Sequence, residues 1–282
     1  MRLKGIKSFL SVATAMIVIV ACSKSDDNDT PQTKANIQLT SNSTLGKYLT
    51  DSVGKTLYFF SNDANGSSVC TGGCLAAWPV FYTANTTLGD TSLHAADFGV
   101  ITRADGSKQT TYKGWPLYYY TPDANAGDVK GEAVNNVWYV AKTDYTIMLA
   151  NTQLMGNDSV EYTSQYVPGK EVTQYMTDAF GRTLYAFKPD KFKKNNYTKA
   201  DFSNNATWPI YEVTDIKSIP TILAKTDFDT LQVFGKVQLA YKGWPLYYFG
   251  NDKQKRGSTK GVSVPQPGVW PIVNKNTTTA AK

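Results

Sequence analysis

Histidine and cysteine are scarce in this chain. Its 282 residues include one histidine, His94, and three cysteines. A structural zinc site needs four protein donors, and Ser-His-Asp catalysis needs a histidine beside its nucleophile. A c-type haem attachment requires histidine directly after its second cysteine, but Leu75 follows Cys74. No phosphate-binding loop is present either. The sequence therefore predicts no catalytic residue, no metal site and no cofactor.

Long apolar runs are also lacking, apart from one near the N-terminus. It covers the 13 residues 9–21 and follows three basic residues, Arg2, Lys4 and Lys7. A membrane-spanning helix needs about 20 residues, so the run is typical of a secretory signal instead. It ends in Ile19-Val20-Ala21-Cys22, which resembles a bacterial lipobox. We predict a signal peptide at residues 1–21 and a membrane anchor through lipidated Cys22. The alternative is a plain secretory signal with an incidental cysteine.

The residues that follow Cys22 are polar and acidic. The segment Ser23-Lys24-Ser25-Asp26-Asp27-Asn28-Asp29 has too little apolar surface to order itself. Residues 22–40 are therefore predicted to form a disordered tether. The segment also resembles the acidic surface-export signal of lipoproteins in Bacteroidetes-type bacteria. That resemblance implies an outer-membrane anchor with exposure at the cell surface; the alternatives are the inner leaflet and the inner membrane.

The formal net charge of +6 is unevenly distributed. Residues 151–282 carry 17 basic against 11 acidic side chains. The basic residues cluster at Lys188, Lys191, Lys193 and Lys194, and again at Lys253, Lys255 and Arg256. Basic patches attract anionic glycans, lipopolysaccharide or nucleic acid, but most such runs are solvated loops. We interpret both clusters as loops. The expected partners are the membrane and either envelope glycans or another envelope protein, with no nucleic acid.

Cys70 and Cys74 remain once Cys22 is assigned to the lipid. In an oxidising envelope compartment this leftover pair predicts a disulfide. Gly72 and Gly73 let the short loop between the cysteines close. A separation of four residues gives only a modest entropic gain, so the bond is expected to be a local clip. A redox-active pair is the alternative.

One short pattern occurs four times. It reads Gly-x-x-Leu-Tyr-x-aromatic-x-x-Asp, and a tryptophan follows each copy. The interval from Tyr to Trp is 20 residues in the first two copies and 23 in the last two, so the chain is a duplicated pair of units. The recurring residues are Tyr58, Asp63 and Trp78, then Tyr118, Asp123 and Trp138, then Tyr185, Asp190 and Trp208, and finally Tyr247, Asp252 and Trp270.

Short aromatic and β-branched runs around Gly turns predict β-hairpins, including one at Asp105-Gly106. Further strands are predicted at residues 78–82 and 208–211. The predicted fold is all-β, with four related repeats of about 60 residues in two pseudo-symmetric halves or in a small four-bladed propeller-like ring. The first repeat pair is placed at residues 41–141 and the second at 173–275. Residues 142–172 are predicted to be a connector and residues 276–282 a frayed tail.

The four copies resemble the secreted-repeat lipoproteins that are defined by a Tyr-x4-Asp motif. The resemblance covers nearly all of residues 46–140 and 174–272, and it includes the run from Cys70 to Trp78-Pro79. The last two copies depart from it, because they lack the cysteine pair and carry basic loops. The family has no established biochemical activity. Its resemblance implies an exported, membrane-anchored protein.

The repeated residues are interpreted mainly as architecture. Leu and one aromatic residue are expected to alternate inward along the strand, Asp to cap the following turn, and Trp to seal the next unit. Two further tryptophans, Trp115 and Trp244, lie in Gly-Trp-Pro turns and are candidates for stacking on sugar rings. The alternative is that they are buried as well.

These observations favour a non-enzymatic binding or structural lipoprotein of the cell envelope. Two alternatives stay open. One is an envelope redox or electron-transfer accessory that uses Cys70 and Cys74. The other is a hydrolase of envelope glycans, since the sequence does not exclude a catalytic carboxylate pair.

Overall fold

The aromatic and β-branched runs form short antiparallel strands. The computed structural model describes residues 35–282, and its one α-helix in that range is α1 (Gly73–Ala77). The strands of this part are β1 (Ile37–Asn42), β2 (Gly46–Asp51), β3 (Tyr58–Phe60), β4 (Phe98–Thr102), β5 (Lys108–Tyr112), β6 (Trp115–Tyr118), β7 (Trp138–Val140), β8 (Met148–Met155), β9 (Glu161–Tyr162), β10 (Val172–Thr177), β11 (Phe228–Val233), β12 (Lys236–Tyr241) and β13 (Trp244–Pro245). Short 3-10 turns lie at Ser61–Asp63, Ala95–Asp97, Val134–Asn136, Lys225–Asp227, Gly250–Asp252 and Lys260–Ser263.

The strands form four small antiparallel sheets within residues 35–282. The largest has the order β4-β5-β6-β3-β7. The others have the orders β1-β2, β10-β8-β9 and β11-β12-β13. The all-β prediction is confirmed. The predicted hairpin at Asp105-Gly106 is confirmed too, since β4 pairs with β5 and Gly106 closes the turn with φ of +83°.

The same ladder occurs in both halves of the chain. In the first half, Tyr58 pairs with Tyr118 on one side and with Val140 on the other. In the second half, Tyr185 bridges Tyr247 and Ile272 in the same way. The predicted strands at 78–82 and 208–211 are single bridges, from Val80 to Tyr118 and from Ile210 to Tyr247. The halves are therefore built alike around their repeated tyrosines.

Two predicted boundaries need correction. The tether was expected to extend to residue 40, but β1 begins at Ile37 and pairs with β2. The connector at 142–172 contains β8, which pairs with β10 as β1 pairs with β2. Each half thus begins with an antiparallel pair. The connector was predicted to match no repeat, although Ala-Asn-x-Gln-Leu at residues 35–39 recurs at residues 150–154 and was a usable signal. The signal peptide, Cys22 and the acidic segment lie outside the described residues.

An apolar cluster extends across both halves. A single cluster of contacting buried side chains includes Leu49 and Trp115 from the first half and Tyr175 and Trp208 from the second. Burial of this continuous surface stabilises both halves together, since short β-repeats cannot each bury a core alone.

The C-terminal tail is held against the second half, which corrects the prediction of a frayed end. The backbone N–H of Ala280 donates to the carbonyl of Lys242 at 3.0 Å, and the N–H of Phe192 donates to that of Ala281 at 2.7 Å. Ala280 is only 4% exposed. The Thr/Ala-rich composition predicted a frayed end. The tail is instead held by hydrogen bonds of its backbone, and its small side chains leave room for this contact.

Candidate functional site

Each repeated tyrosine donates a hydrogen bond to the aspartate of the paired copy. The bonds run from Tyr58 to Asp123 (2.5 Å), Tyr118 to Asp63 (2.6 Å), Tyr185 to Asp252 (2.6 Å) and Tyr247 to Asp190 (2.7 Å), in each case from the phenolic oxygen to Oδ2. All eight side chains are buried. The first copy is therefore joined to the second, and the third to the fourth.

The other oxygen of each aspartate holds the loop that follows it. Oδ1 accepts backbone hydrogen bonds from Val69, Lys130, Asn196 and Lys260, at 2.8, 3.0, 2.7 and 3.0 Å respectively. The capping bonds expected from sequence are thus present. Because both oxygens of each carboxyl group are engaged, none of the four is open to a substrate.

Burial dominates the electrostatics of these pairs. It raises the pKa of the Asp63 carboxyl to about 7, although hydrogen bonds from Tyr118 and Val69 oppose the shift. It raises the pKa values of Asp190 and Asp252 to about 6. Burial and the adjacent carboxyl groups also raise the pKa values of the partner tyrosines, so these stay neutral and donate. These pKa shifts arise mainly because burial removes the paired side chains from water.

A second tyrosine–aspartate contact was missed by the sequence reasoning. Tyr119 donates to Asp51 at 3.0 Å, and Tyr248 donates to Asp178 at 3.0 Å. Asp51 ends β2 and Asp178 directly follows β10, where the sequence repeats as Tyr-x-Thr-Asp. The recurring Tyr-x-Thr-Asp was a usable signal in the sequence. The spacing did not reveal that Tyr119 and Tyr248 are the partners of these aspartates.

The four repeated tryptophans lie in two stacks of four aromatic rings. The first half stacks Tyr120, Trp78, Trp138 and Phe60, with successive centroid distances of 4.1, 3.8 and 4.0 Å. The second half stacks Phe249, Trp208, Trp270 and Phe187, at 4.3, 3.7 and 4.2 Å. Each tryptophan packs on its counterpart from the paired copy. All four are buried, which leaves their faces closed to ligands.

The predicted disulfide between Cys70 and Cys74 is present, with 5.3 Å between the two Cα atoms. Cys70 is buried, and its carbonyl accepts a hydrogen bond from Arg103 at 2.6 Å. The second half holds the matching loop without a disulfide. There the Asn204 amide donates to the carbonyl of Tyr197 at 2.6 Å. Cys74 is only partly buried and Thr71, Gly72 and Gly73 are exposed, so the bond is a local clip on a surface loop.

Trp115 is enclosed, and the stacking prediction is wrong for this residue. Its side chain is 0% exposed. The Arg256 guanidinium lies 4.5 Å from the ring centroid, and the indole N–H donates to the carbonyl of Ala179 at 3.0 Å. Trp115 therefore joins the two halves of the chain.

Arg256 also departs from the prediction of a solvated basic loop. It donates to the carbonyls of Ala64 and Lys113, both at 2.9 Å and both in the first half. Burial lowers the pKa of its guanidinium to about 10, while Asp63 and Asp178 raise it. The cluster at 253–256 thus includes a side chain that is part of the contact between the halves.

Trp244 is partly exposed and lines a cleft of about 400 Å³ together with Tyr166. Its indole N–H donates to the carbonyl of Thr278 at 2.8 Å. Amide and hydroxyl side chains line the cleft as well: Ser164, Gln165, Asn274, Asn276, Thr277 and Thr278. Lys188 supplies its charge. Of the two tryptophans singled out by sequence, Trp244 is the one whose side chain is partly exposed.

A larger cleft of about 480 Å³ lies beside Arg182, Tyr248 and Asp252. Three of its charged groups, Arg182, Glu212 and Asp252, already have partners. Arg182 contacts Asp178 at 2.5 Å and Asp252 accepts from Tyr185 and from Ser258. We place the candidate ligand site at Trp244, where a partly exposed aromatic ring lies beside the amide side chains of Gln165, Asn274 and Asn276.

Within residues 35–282, no group of three or more His, Cys, Asp or Glu side chains is arranged to hold a metal ion. In the same range no helix has the length and apolar character needed to cross a membrane.

A family model described as a secreted repeat of unknown function matches three segments of the chain, residues 39–82, 99–142 and 233–274. These segments contain the first, second and fourth tyrosine–aspartate motifs, while the third copy lies outside them. The match supports a secreted module with an extracellular or envelope location. No curated protein and no solved structure matches the chain.

Proposed function

We propose that this chain is a lipid-anchored, non-enzymatic module of the cell envelope that binds glycans in the cleft at Trp244. The partly exposed indole of Trp244, beside Tyr166 in a cleft of about 400 Å³, is the observation that carries the proposal. The family match to secreted repeats supports the location. The lipobox at Cys22 supports the anchor.

The chemistry of the cleft suits a sugar. Sugar rings present apolar C–H faces that pack on aromatic rings, and their hydroxyls bond to planar amides. Gln165, Asn274 and Asn276 provide amides near Trp244. With Lys188 as its charged residue, the cleft fits a neutral or weakly anionic polysaccharide of the envelope.

The rest of the fold supports binding over catalysis. A hydrolase of glycans needs two carboxyl groups facing the scissile bond. Asp190 and Asp252 have raised pKa values because of burial, as a general acid would, but each has both oxygens engaged by its own scaffold. The repeated pairs therefore make a rigid support for the cleft.

Binding is tested with a glycan array of envelope polysaccharides, followed by calorimetry on the captured glycan. We expect Trp244→Ala to weaken binding at least about tenfold, since one aromatic contact contributes about 1 kcal/mol beyond the area it buries. Phe234→Ala is the matched control, because Phe234 is an exposed aromatic outside the cleft. Equal affinities for the two variants would contradict the assignment, and so would release of reducing sugar by the wild-type chain.

The anchor is tested separately by fractionating cells. Cys22→Ser is expected to move the protein from the membrane to the soluble fraction, because the thiol that takes the lipid is lost. Cys74→Ser, which removes a different cysteine, should leave the protein on the membrane. A Cys22→Ser protein that still sediments with membranes would show that the anchor is elsewhere.

A further inference from the structure

The two Gly-Trp-Pro turns have the same local sequence but different partners. The indole N–H of Trp115 donates to the carbonyl of Ala179, which belongs to the second half. The indole N–H of Trp244 donates to the carbonyl of Thr278, which belongs to the C-terminal tail. The first half contacts the second half through the surface around Trp115. The equivalent surface around Trp244 lies on the second half, where the tail covers it.

The turn that docks on this surface is repeated too. Around Ala179, the Asp178 carboxylate accepts backbone bonds from Phe180 and Arg182, at 2.9 and 3.0 Å. In the first half, Asp51 accepts the same bonds from Val53 and Lys55, both at 2.9 Å. The carbonyl of Ser52 therefore has the same position in the first-half turn as the carbonyl of Ala179 has in the second-half turn. Val53 is 61% exposed and Ser52 is partly exposed, and the carbonyl of Ser52 accepts a bond from the Gln38 amide at 3.4 Å in the monomer.

The bulky side chains at the two surfaces are complementary. A Cβ on Gly114 would overlap Arg256, whereas a Cβ on Gly243 would overlap Phe192. Arg256 comes from the docked half, but Phe192 belongs to the same half as the turn that it covers. A half that docks on the second surface meets Phe192 there. Its own residue at the position equivalent to Arg256 must therefore have a small side chain.

The first half meets this requirement. A Cβ on Gly181 would lie 3.2 Å from Cβ of Arg256, and one on Gly54 would lie 3.0 Å from Cβ of Ala126. Ala126 therefore holds the position of Arg256 in the first half. Its small side chain leaves room for Phe192, so first-half and second-half surfaces of two copies are compatible in size.

The tail that covers the second surface is replaceable. It is held by main-chain bonds from Ala280 to Lys242 and from Phe192 to Ala281. Its side chains are mostly threonine and alanine, which add little apolar area. Because these bonds are made by the backbone, a segment of another chain can form the same bonds and replace the tail, as in strand addition.

We infer that the turn at residues 242–244 is a docking surface for the first half of a second copy, with residues 276–282 as its occupant in the monomer. The Ser52 turn of the incoming copy takes the place of Thr278 and accepts the bond from Trp244. Such contacts are head-to-tail, so they do not close a dimer and lead to longer assemblies. Docking does not require a glycan, but it displaces Asn276, Thr277 and Thr278, which line the Trp244 cleft, so a docked copy and a glycan exclude each other there.

Sedimentation velocity tests the inference on the mature chain with Cys22→Ser. Removal of residues 276–282 should convert a monomer into concentration-dependent dimers and longer species. Full-length Ala280→Asp is a second way to displace the tail, because it puts a charge at a buried position. In both backgrounds Val53→Asp should restore the monomer, whereas Val167→Asp, at another exposed valine, should not.

Two results would overturn the inference. One is a folded monomer for both tail variants at the highest soluble concentration. The other is assembly that Val53→Asp does not reduce, since this would place the contact elsewhere. Val53 lies outside the Trp244 cleft, so glycan binding by full-length Val53→Asp should equal that of the wild type whichever result is found.

Discussion

The hydroxyl of Tyr58 donates to Asp123, 65 residues further along the chain, while Asp63 of its own repeat accepts from Tyr118. The motif that looks local in sequence is thus a reciprocal bond between two copies. A single copy has a buried donor and a buried acceptor without partners, which is costly. Pairing satisfies both, and this explains why the copies occur in pairs.

Removal of one hydroxyl should destabilise the fold measurably. In Tyr58→Phe the Asp123 carboxyl loses its donor and the N–H of Gly131 loses its acceptor, both in buried surroundings. We expect a loss of about 1–3 kcal/mol in the free energy of unfolding, measured in urea. Tyr82→Phe, at an exposed tyrosine, should change it by less than about 0.5 kcal/mol. Equal effects would contradict the structural role.

The stability contributed by these carboxyl groups should fall as the pH rises from about 4 to about 7. Burial raises the pKa of Asp63 from 3.8 to about 7, so the folded chain keeps a proton that the unfolded chain releases. The resulting stability is fully present below about pH 4 and is lost as the pH passes through about 7. Asp190 and Asp252 act in the same direction up to about pH 6. Thermal melts of the wild type and Asp63→Asn should show a shallower slope in the variant; identical slopes would rule out Asp63 as a source.

The aromatic stacks predict a contrast between two tryptophans of the second half. Trp208 is buried between Phe249 and Trp270. Its change to alanine should cost about 3–5 kcal/mol. Trp244→Ala removes a partly exposed ring and should cost about 1–2 kcal/mol. Urea denaturation of both variants checks the difference, and a reversed order would mean that Trp244 belongs to the core.

The disulfide should matter modestly and only in the first half. Replacing Cys70 and Cys74 together by alanine frees a short loop, for which chain entropy gives a loss of about 2 kcal/mol. Asn204→Ala removes the amide that holds the matching loop and should cost about 1 kcal/mol. Calorimetric melting temperatures test both values. A double alanine variant that melts like the wild type would show that the clip adds no stability.

Much of the architecture was predictable because it rests on local patterns. The hairpin at Asp105-Gly106, the Cys70–Cys74 bond and the all-β class follow from turn chemistry, cysteine spacing and strand composition. The partner of Tyr58 was not predictable, because the spacing of one motif does not say which copy supplies the aspartate.

Tertiary contacts also separated residues that look alike in sequence. Trp115 and Trp244 have the same neighbours along the chain, but Arg256 covers one and the C-terminal tail meets the other. The basic run around Arg256 predicts a solvated loop, but its side chain is partly buried and its carbonyl partners lie in the other half. Neither outcome leaves a local signal in the sequence.

A pair of double-mutant cycles measures the exchange between copies most directly. Tyr58→Phe is combined with Asp123→Asn in one cycle and with Asp63→Asn in the other, using free energies of unfolding in urea. We predict a coupling energy of at least about 1 kcal/mol with Asp123 and less than about 0.5 kcal/mol with Asp63. A larger coupling to Asp63 than to Asp123 would contradict the reciprocal pairing on which the account of this fold depends.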